Sequence, residues 1–236
     1  MKAIKFTLLI LAFLLVSCST SYTLQSHEEE VIKVNAKIDS TILRIISPYQ
    51  KGIEDLMNEV LTYTLNDLDK GKPQSTIGNF VTDLCLNYAD AHICVMNNGG
   101  LRTNISAGTI TRGEIYQLMP FENELVVLKL NKKEYINLLK YIGKRGGEPF
   151  SGMTMTINKD GRVIKNSWPV NFNEGDHVRM LTSDYLANGG DNMWFLKDKK
   201  QNKVGIKLRD AIIDYCKNTD TIDVQLDNRI IVLDDE

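Results

Sequence analysis

Ile93-Cys94-Val95-Met96-Asn97-Asn98-Gly99-Gly100-Leu101-Arg102 is the stretch on which the reading of this chain turns. Its first four residues are apolar and include two β-branched side chains, so they read as a short buried strand. The strand stops at Asn-Asn-Gly-Gly, a strong turn signal. Glycines there let the backbone take φ > 0 and let another group come close. Arg102 follows with a planar guanidinium fork, a shape matched to phosphate. A second loop of the same kind, Ala187-Asn188-Gly189-Gly190-Asp191, follows a run that ends at Tyr185. Asp191 offers a carboxylate able to accept two hydrogen bonds, as a diol would supply. Between the loops lies Pro120-Phe121-Glu122-Asn123. Taken singly, a Gly-Gly after a strand is usually a plain turn, and an aromatic after proline is usually core. Neither loop carries the Lys-Ser/Thr ending of a P-loop.

Outward from these loops the chain mixes the two hydrophobic periods. Val31, Val34, Ile38, Ile42 and Ile45 recur at helical spacing; Pro48 is expected to interrupt that helix, with a second helical run from Lys51 to about Asn58. Residues 60–68 alternate as a strand, and Lys70-Gly71-Lys72-Pro73 is a loop. Ser75 or Thr76 caps a helix from residue 77 to about 89, and Thr111 caps a short one ended by Pro120. A strand over 124–130 leads into a helix that starts at Asn131 and runs through Tyr141. Two strands flank 158–161, where Asp160-Gly161 is a hairpin signal. A strand over 178–185, a helix over 206–217 and a strand over 229–233 complete the chain. No internal repeat appears. Helices and strands in irregular order predict a single α+β domain with a mixed sheet and flanking helices.

The 236 residues are 43% hydrophobic and 25% charged, the proportions of a soluble globular protein able to bury a substantial core. The net charge of −2 gives no reason to expect DNA or RNA as a partner. Lys2 and Lys5 precede an apolar run over 6–16, broken only by Thr7, which ends in Leu15-Val16-Ser17-Cys18. This is the pattern of a secretory signal peptide, too short to span a membrane. The small residue before the cysteine resembles the bacterial lipoprotein processing site. That implies cleavage before Cys18 and a lipid on it, tethering the domain at the bacterial cell envelope, periplasmic or at the cell surface. On this reading residues 1–17 are the signal, 18–37 the lipidated Cys and tether, and 38–236 the folded domain. Cys85, Cys94 and Cys216 are odd in number and lack metal-clamp spacing, so buried thiols with at most one disulfide are expected.

Four motifs stand in order: Asn97 to Arg102; Gly108-Thr109-Ile110-Thr111-Arg112-Gly113-Glu114; Pro120-Phe121-x-Asn123-x-Leu125; and Tyr185-Leu186-Ala187-Asn188-Gly189-Gly190-Asp191. With Thr76-Ile77-Gly78-Asn79 they closely resemble the C-terminal domain of 5′-nucleotidases, a family that includes the bacterial periplasmic UDP-sugar hydrolases. The resemblance covers roughly residues 40–234. It implies that Phe121 and Tyr185 sandwich a nucleobase, each stack contributing about 1–3 kcal/mol because every base has a π-face. It further implies that Asn97 and Asn123 hydrogen-bond the base edge, that Gly152 brings backbone close to the base, that Asp191 binds ribose hydroxyls and that Arg102 faces phosphate. Tyr185 stands where the family's Phe is expected; it keeps the ring and adds a hydroxyl. The Arg that the family carries before its Gly-Asn helix is replaced by the segment Lys70-Gly71-Lys72-Pro73-Gln74-Ser75, where Lys72 offers a point charge instead of a fork.

Full-length members of that family place a metallophosphoesterase domain before this one. Its two-metal chemistry needs a dense set of Asp, His and Asn ligands. The three histidines here, His27, His92 and His177, are scattered, and Gly175-Asp176-His177 reads as a turn. No cofactor is therefore expected in this chain, with divalent metals expected only in a partner catalytic chain. The leading expectation is a substrate-recognition domain of a 5′-nucleotidase-type system for nucleotide catabolism or salvage, not catalytic alone. A separate metallophosphoesterase subunit on the same membrane would be its partner, tethering raising their effective concentration. The alternative is a non-catalytic surface lipoprotein that captures a nucleotide or nucleoside, and a third reading is a degenerate domain kept for protein contacts.

Overall fold

The structure, a computed structural model, describes residues 39–173 and 175–233. The expected signal peptide, Cys18, the tether and His27 lie outside the described residues. Two compact units divide the chain, Met1–Arg44 and Ile45–Glu236, and of the first only residues 39–44 are described.

In chain order the elements are α1 (Ser40–Met57), β1 (Val60–Thr64), α2 (Thr76–Cys85), β2 (Ile93–Val95), β3 (Gly108–Thr111), α3 (Arg112–Leu118) and β4 (Glu124–Leu130). They continue with α4 (Lys132–Lys144), β5 (Phe150–Ser151), β6 (Met155–Asn158), β7 (Val163–Asn166), β8 (Val178–Ser183) and the short α5 (Asp184–Ala187). The last are β9 (Asn202–Lys207), α6 (Leu208–Lys217), β10 (Thr221–Ile222) and β11 (Ile230–Leu233). No helix among the described residues is long and apolar enough to cross a membrane.

The centre is a five-stranded mixed sheet in the order β5-β2-β8-β4-β9. β2 and β8 run parallel, while β4 is antiparallel to β8 and to β9, and β5 is antiparallel to β2. Both faces of the middle strands are buried. Cys94, Leu125 and Leu181 point into a core shared with Ile77, Phe80, Val81 and Leu84 of α2 and Ala211 and Ile212 of α6. Their sequence neighbours Ile93, Val95, Val126, Leu128 and Met180 point the other way, against Tyr135, Leu138 and Ile142 of α4. Alternate residues of one strand thus feed two cores. A strand covered on both faces carries a nearly continuous apolar run, which is how β2, β4 and β8 read in the sequence. Two three-stranded sheets, β10-β1-β3 and β11-β6-β7, flank this centre. The expected α+β class with a mixed sheet is what the chain adopts.

Local chemistry sets the boundaries. Ser75, Thr111 and Asn131 each accept a backbone N–H of the first turn of α2, α3 and α4, and the last two complete capping boxes with Glu114 and Glu134. Several expectations are corrected. Pro48 does not divide α1, which is continuous from Ser40 to Met57. The strand expected over 60–68 ends at Thr64, with Leu68 left in an isolated bridge to Ile105. The strand expected over 178–185 ends at Ser183, whose hydroxyl accepts the Leu186 N–H and caps α5, so Tyr185 sits on a helical turn.

Candidate functional site

The sheet topology brings the two Gly-Gly loops to one edge. β2 and β8 are parallel, so their C-terminal ends lie together; β4 is antiparallel, so its N-terminal end joins them. The segments leaving β2 and β8 and the one entering β4 therefore meet, at the kind of strand-end crevice where open sheets bind ligands. There they enclose a recess of about 300 Å³ lined by Asn97, Gly99, Gly100, Arg102, Phe121, Asn123, Tyr185 and Asp191. The volume is at the lower end for a small-molecule site. Six of the seven residues singled out in the sequence for ligand contact line this one recess.

The seventh does not. Gly152 lines a separate depression with Asp83, Met153, Thr154 and Arg229. Its φ is +78°, and a Cβ there would stand 2.1 Å from the His92 carbonyl oxygen. Close backbone packing between β5 and the entry to β2 accounts for this glycine.

Asp191 is the hub of the recess. Its Oδ2 accepts a hydrogen bond from Asn97 Nδ2 at 2.6 Å and its Oδ1 accepts one from the Tyr185 hydroxyl at 3.0 Å. Its backbone N–H donates to the same hydroxyl at 3.2 Å, and its carbonyl accepts from the Tyr141 hydroxyl at 2.8 Å. Burial pushes the Tyr141 hydroxyl up to about 12, so it stays protonated and able to donate. These bonds hold Asp191 at φ 50°, a left-handed conformation that Asp tolerates better than most residues. Gly190 makes the loop possible, because a Cβ there would stand 2.6 Å from Cε1 and Cζ of the Tyr185 ring.

Phe121 and Tyr185 are 41% and 44% exposed, large rings left open inside one cleft. The Phe121 segment is anchored from below by Arg209, a residue the sequence reading missed. Arg209 is 5% exposed, donates to the carbonyls of Met119 and Phe121, pairs with Glu122 and lies over the Tyr116 ring. Lys207 and Arg209 beside its carboxylate hold Glu122 down to about 2. Arg102 lies with its guanidinium carbon 6.0 Å from the Phe121 ring centroid and donates to the Gly99 carbonyl at 3.1 Å.

A second missed pair is Arg145 and Glu148. The sequence signal was only an acid between Gly147 and Pro149, a place where a solvated charge is ordinary. Glu148 is instead buried, accepting the Asn98 N–H at 2.7 Å and Arg145 Nε at 2.8 Å. Lys72, considered as a substitute phosphate contact, donates its Nζ to the Arg145 carbonyl and is absent from the recess lining.

Segments that share letters with metal motifs are tied into structure. In Asp90-Ala91-His92, Asp90 pairs with Arg179 at 2.7 Å and His92 Nδ1 accepts the Arg179 N–H at 3.1 Å. Burial, with Arg179 adjacent, holds the His92 imidazole below its ordinary value. Gly175-Asp176-His177 is a turn in which His177 Nδ1 lies 2.7 Å from the Gly175 carbonyl. Among the described residues no group of three or more His, Cys, Asp or Glu side chains is placed to hold a metal ion.

The profile of the family described as 5′-nucleotidase, C-terminal domain matches residues 58–198. A trifunctional nucleotide phosphoesterase protein of Bacillus subtilis is 30% identical over 193 residues, covering 71% of this chain and 13% of that protein. A 5′-nucleotidase of Vibrio cholerae is 26% identical over 201 residues, covering 80% of this chain and 36% of the relative. The solved structure of a 5′-nucleotidase precursor from Thermus thermophilus superposes with a TM-score of 0.68 at 26% identity, over 80% of this chain and 42% of that one. The chain thus spans less than half the length of each of these proteins. A profile match over more than half of its residues, on a fold whose strand ends gather the matched motifs, places this chain in the 5′-nucleotidase C-terminal domain family.

Proposed function

We propose that the recess is the nucleotide- or nucleoside-recognition site of a 5′-nucleotidase-type system. The base lies between Phe121 and Tyr185, with Asn97 and Asn123 at its edge; the ribose hydroxyls bond to Asp191, and Arg102 meets the phosphate. The observation that carries this reading is the pairing of two half-exposed aromatic rings with a carboxylate in one cleft. Open rings lose little on stacking a flat ligand and gain about 1–3 kcal/mol from each base face.

The hydrolytic step belongs, on this proposal, to a separate metallophosphoesterase chain that supplies divalent metals. What supports it is that the matched region is about a third of the Vibrio cholerae 5′-nucleotidase. Lipidation at Cys18 would hold this domain at the cell envelope beside such a partner. Calorimetry with AMP and adenosine tests the recognition step. Saturable one-to-one binding is expected, weakened about five- to a hundredfold by Phe121→Ala. Adding a metallophosphoesterase chain encoded alongside is expected to bring AMP hydrolysis that Phe121→Ala depresses. Binding without any gain in hydrolysis would favour a capture lipoprotein, and no binding of either ligand by folded protein would overturn both readings.

A further inference from the structure

Behind the recess stands the one buried acid among the described residues. The Glu148 side chain is fully enclosed, and it does not line the cleft. Burying a carboxylate is costly unless it is paired and hydrogen-bonded, so its partners indicate what it is for. Its two oxygens are committed separately. Oε2 accepts the backbone N–H of Asn98 at 2.7 Å, and Oε1 accepts Arg145 Nε at 2.8 Å. Each arm leads to the same atom of the recess. Asn97, next to Asn98, donates its amide to Asp191 Oδ2 at 2.6 Å, and the Arg145 guanidinium reaches within 4.0 Å of that oxygen.

We propose that Glu148 is the positioning residue of the ribose subsite, fixing the Asp191 carboxylate through the Asn97-Asn98 turn and through Arg145. The proposal rests on Asp191 as the ribose contact. A carboxylate has about four lone-pair positions. Asn97 occupies one on Oδ2 and the Tyr185 hydroxyl one on Oδ1, leaving one on each oxygen for a vicinal diol. That division holds only while Arg145 is kept back by Glu148. With its Nε unpaired, the guanidinium would close onto Asp191 as a two-pronged ion pair and occupy the positions the diol needs. Glutamine at 148 breaks one arm or the other. Its amide puts an acceptor at only one of the two oxygen positions and turns an NH2 donor towards the other, so either Arg145 is released or the Asn97-Asn98 turn loses its anchor.

The test compares adenosine with 2′,3′-dideoxyadenosine, titrated calorimetrically into the native chain and into Glu148→Gln. Base stacking is common to the two ligands, so dideoxyadenosine affinity reports the rest of the cleft. Native protein is expected to prefer adenosine by about tenfold or more, and Glu148→Gln to reduce that preference to about threefold or less while binding dideoxyadenosine as the native chain does. Should Glu148→Gln not fold, Glu148→Asp keeps the charge on a side chain too short to reach both Asn98 N–H and Arg145 Nε, and is expected to lower the preference in the same way. Retention of the native preference in the folded variant overturns the proposal, as does an equal loss for both ligands, which marks a merely structural role. Native protein that does not distinguish the two ligands instead removes Asp191 as the ribose contact, and the positioning role with it.

Discussion

Gly190→Ala adds one methyl group where the second loop passes against the Tyr185 ring. Its Cβ would stand 2.6 Å from Tyr185 Cε1, Cζ and the backbone carbonyl oxygen. Carbon atoms settle at about 3.5–4.0 Å, so the ring must move by roughly an ångström, and the carbonyl cannot retreat cheaply. Overpacking of this kind costs about 1–3 kcal/mol of stability. Moving the ring also breaks the hydroxyl's bonds to Asp191 Oδ1 at 3.0 Å and to its N–H at 3.2 Å. A hydrogen bond to a charged group contributes about 1.5–3 kcal/mol, and a lost base stack about 1–3 kcal/mol. The substitution is therefore expected to lower the urea midpoint and, from the lost stack alone, to weaken adenosine binding by at least about five- to a hundredfold. Gly52→Ala is the control. Nothing lies within 4 Å of its Cβ position in α1, and alanine should stabilise the helix by about 0.5–1 kcal/mol with no effect on binding. Native stability together with adenosine affinity within about twofold for Gly190→Ala would refute the packing of this loop on the ring.

Further outcomes follow from the same geometry. Tyr185→Phe keeps the stack and loses the bond to Asp191; affinity for adenosine should fall about ten- to thirtyfold and that for dideoxyadenosine about threefold or less, and equal losses would contradict the role given to the hydroxyl. Glu122 is held near 2, against an ordinary 4.5, by Lys207 and Arg209. Its folded pKa is depressed, so its contribution is fully present above about 4.5 and lost as pH falls towards 2. Urea midpoints from pH 5 to pH 2 should show an acid limb that Glu122→Gln flattens, and coincident profiles would count against the pairing. Burial pushes the Cys216 thiol up to about 12 and Cys94, beside Cys85, well above its ordinary value. Cys85, Cys94 and Cys216 are free and buried and should resist an aromatic disulfide reagent at pH 8 until urea is added; rapid native reaction would contradict their burial.

What was legible in the sequence follows from which signals are local. The strands that bury both faces, β2, β4 and β8, announced themselves as apolar runs, and the caps at Ser75, Thr111 and Asn131 marked helix starts within a residue. β9 was missed because Asn202 to Lys207 is an edge strand pairing only with β4, whose alternation is confined to Val204 and Ile206. α1 continues through Pro48 although the missing N–H and the ring predict a break, so proline alone misjudged that helix. Tyr185 was assigned to a strand because its apolar period continues past Ser183; only the serine cap reveals the change of backbone. In the site, six residues were legible because motifs bounded by glycine keep their order in the chain. Gly152 lies outside the recess lining, and a glycine required for close packing and one required for a ligand look alike in sequence. Arg209 was invisible because its partner Glu122 lies on a distant segment, and the burial of Glu148, although Arg145 is only three residues away, becomes evident only once the Asn98 N–H folds onto it.

A crystal structure of the chain with adenosine bound tests the clasp most directly. The adenine ring should lie between Phe121 and Tyr185, with both ribose hydroxyls within hydrogen-bond distance of Asp191. Adenosine seated elsewhere, or stacked on neither ring, would contradict it.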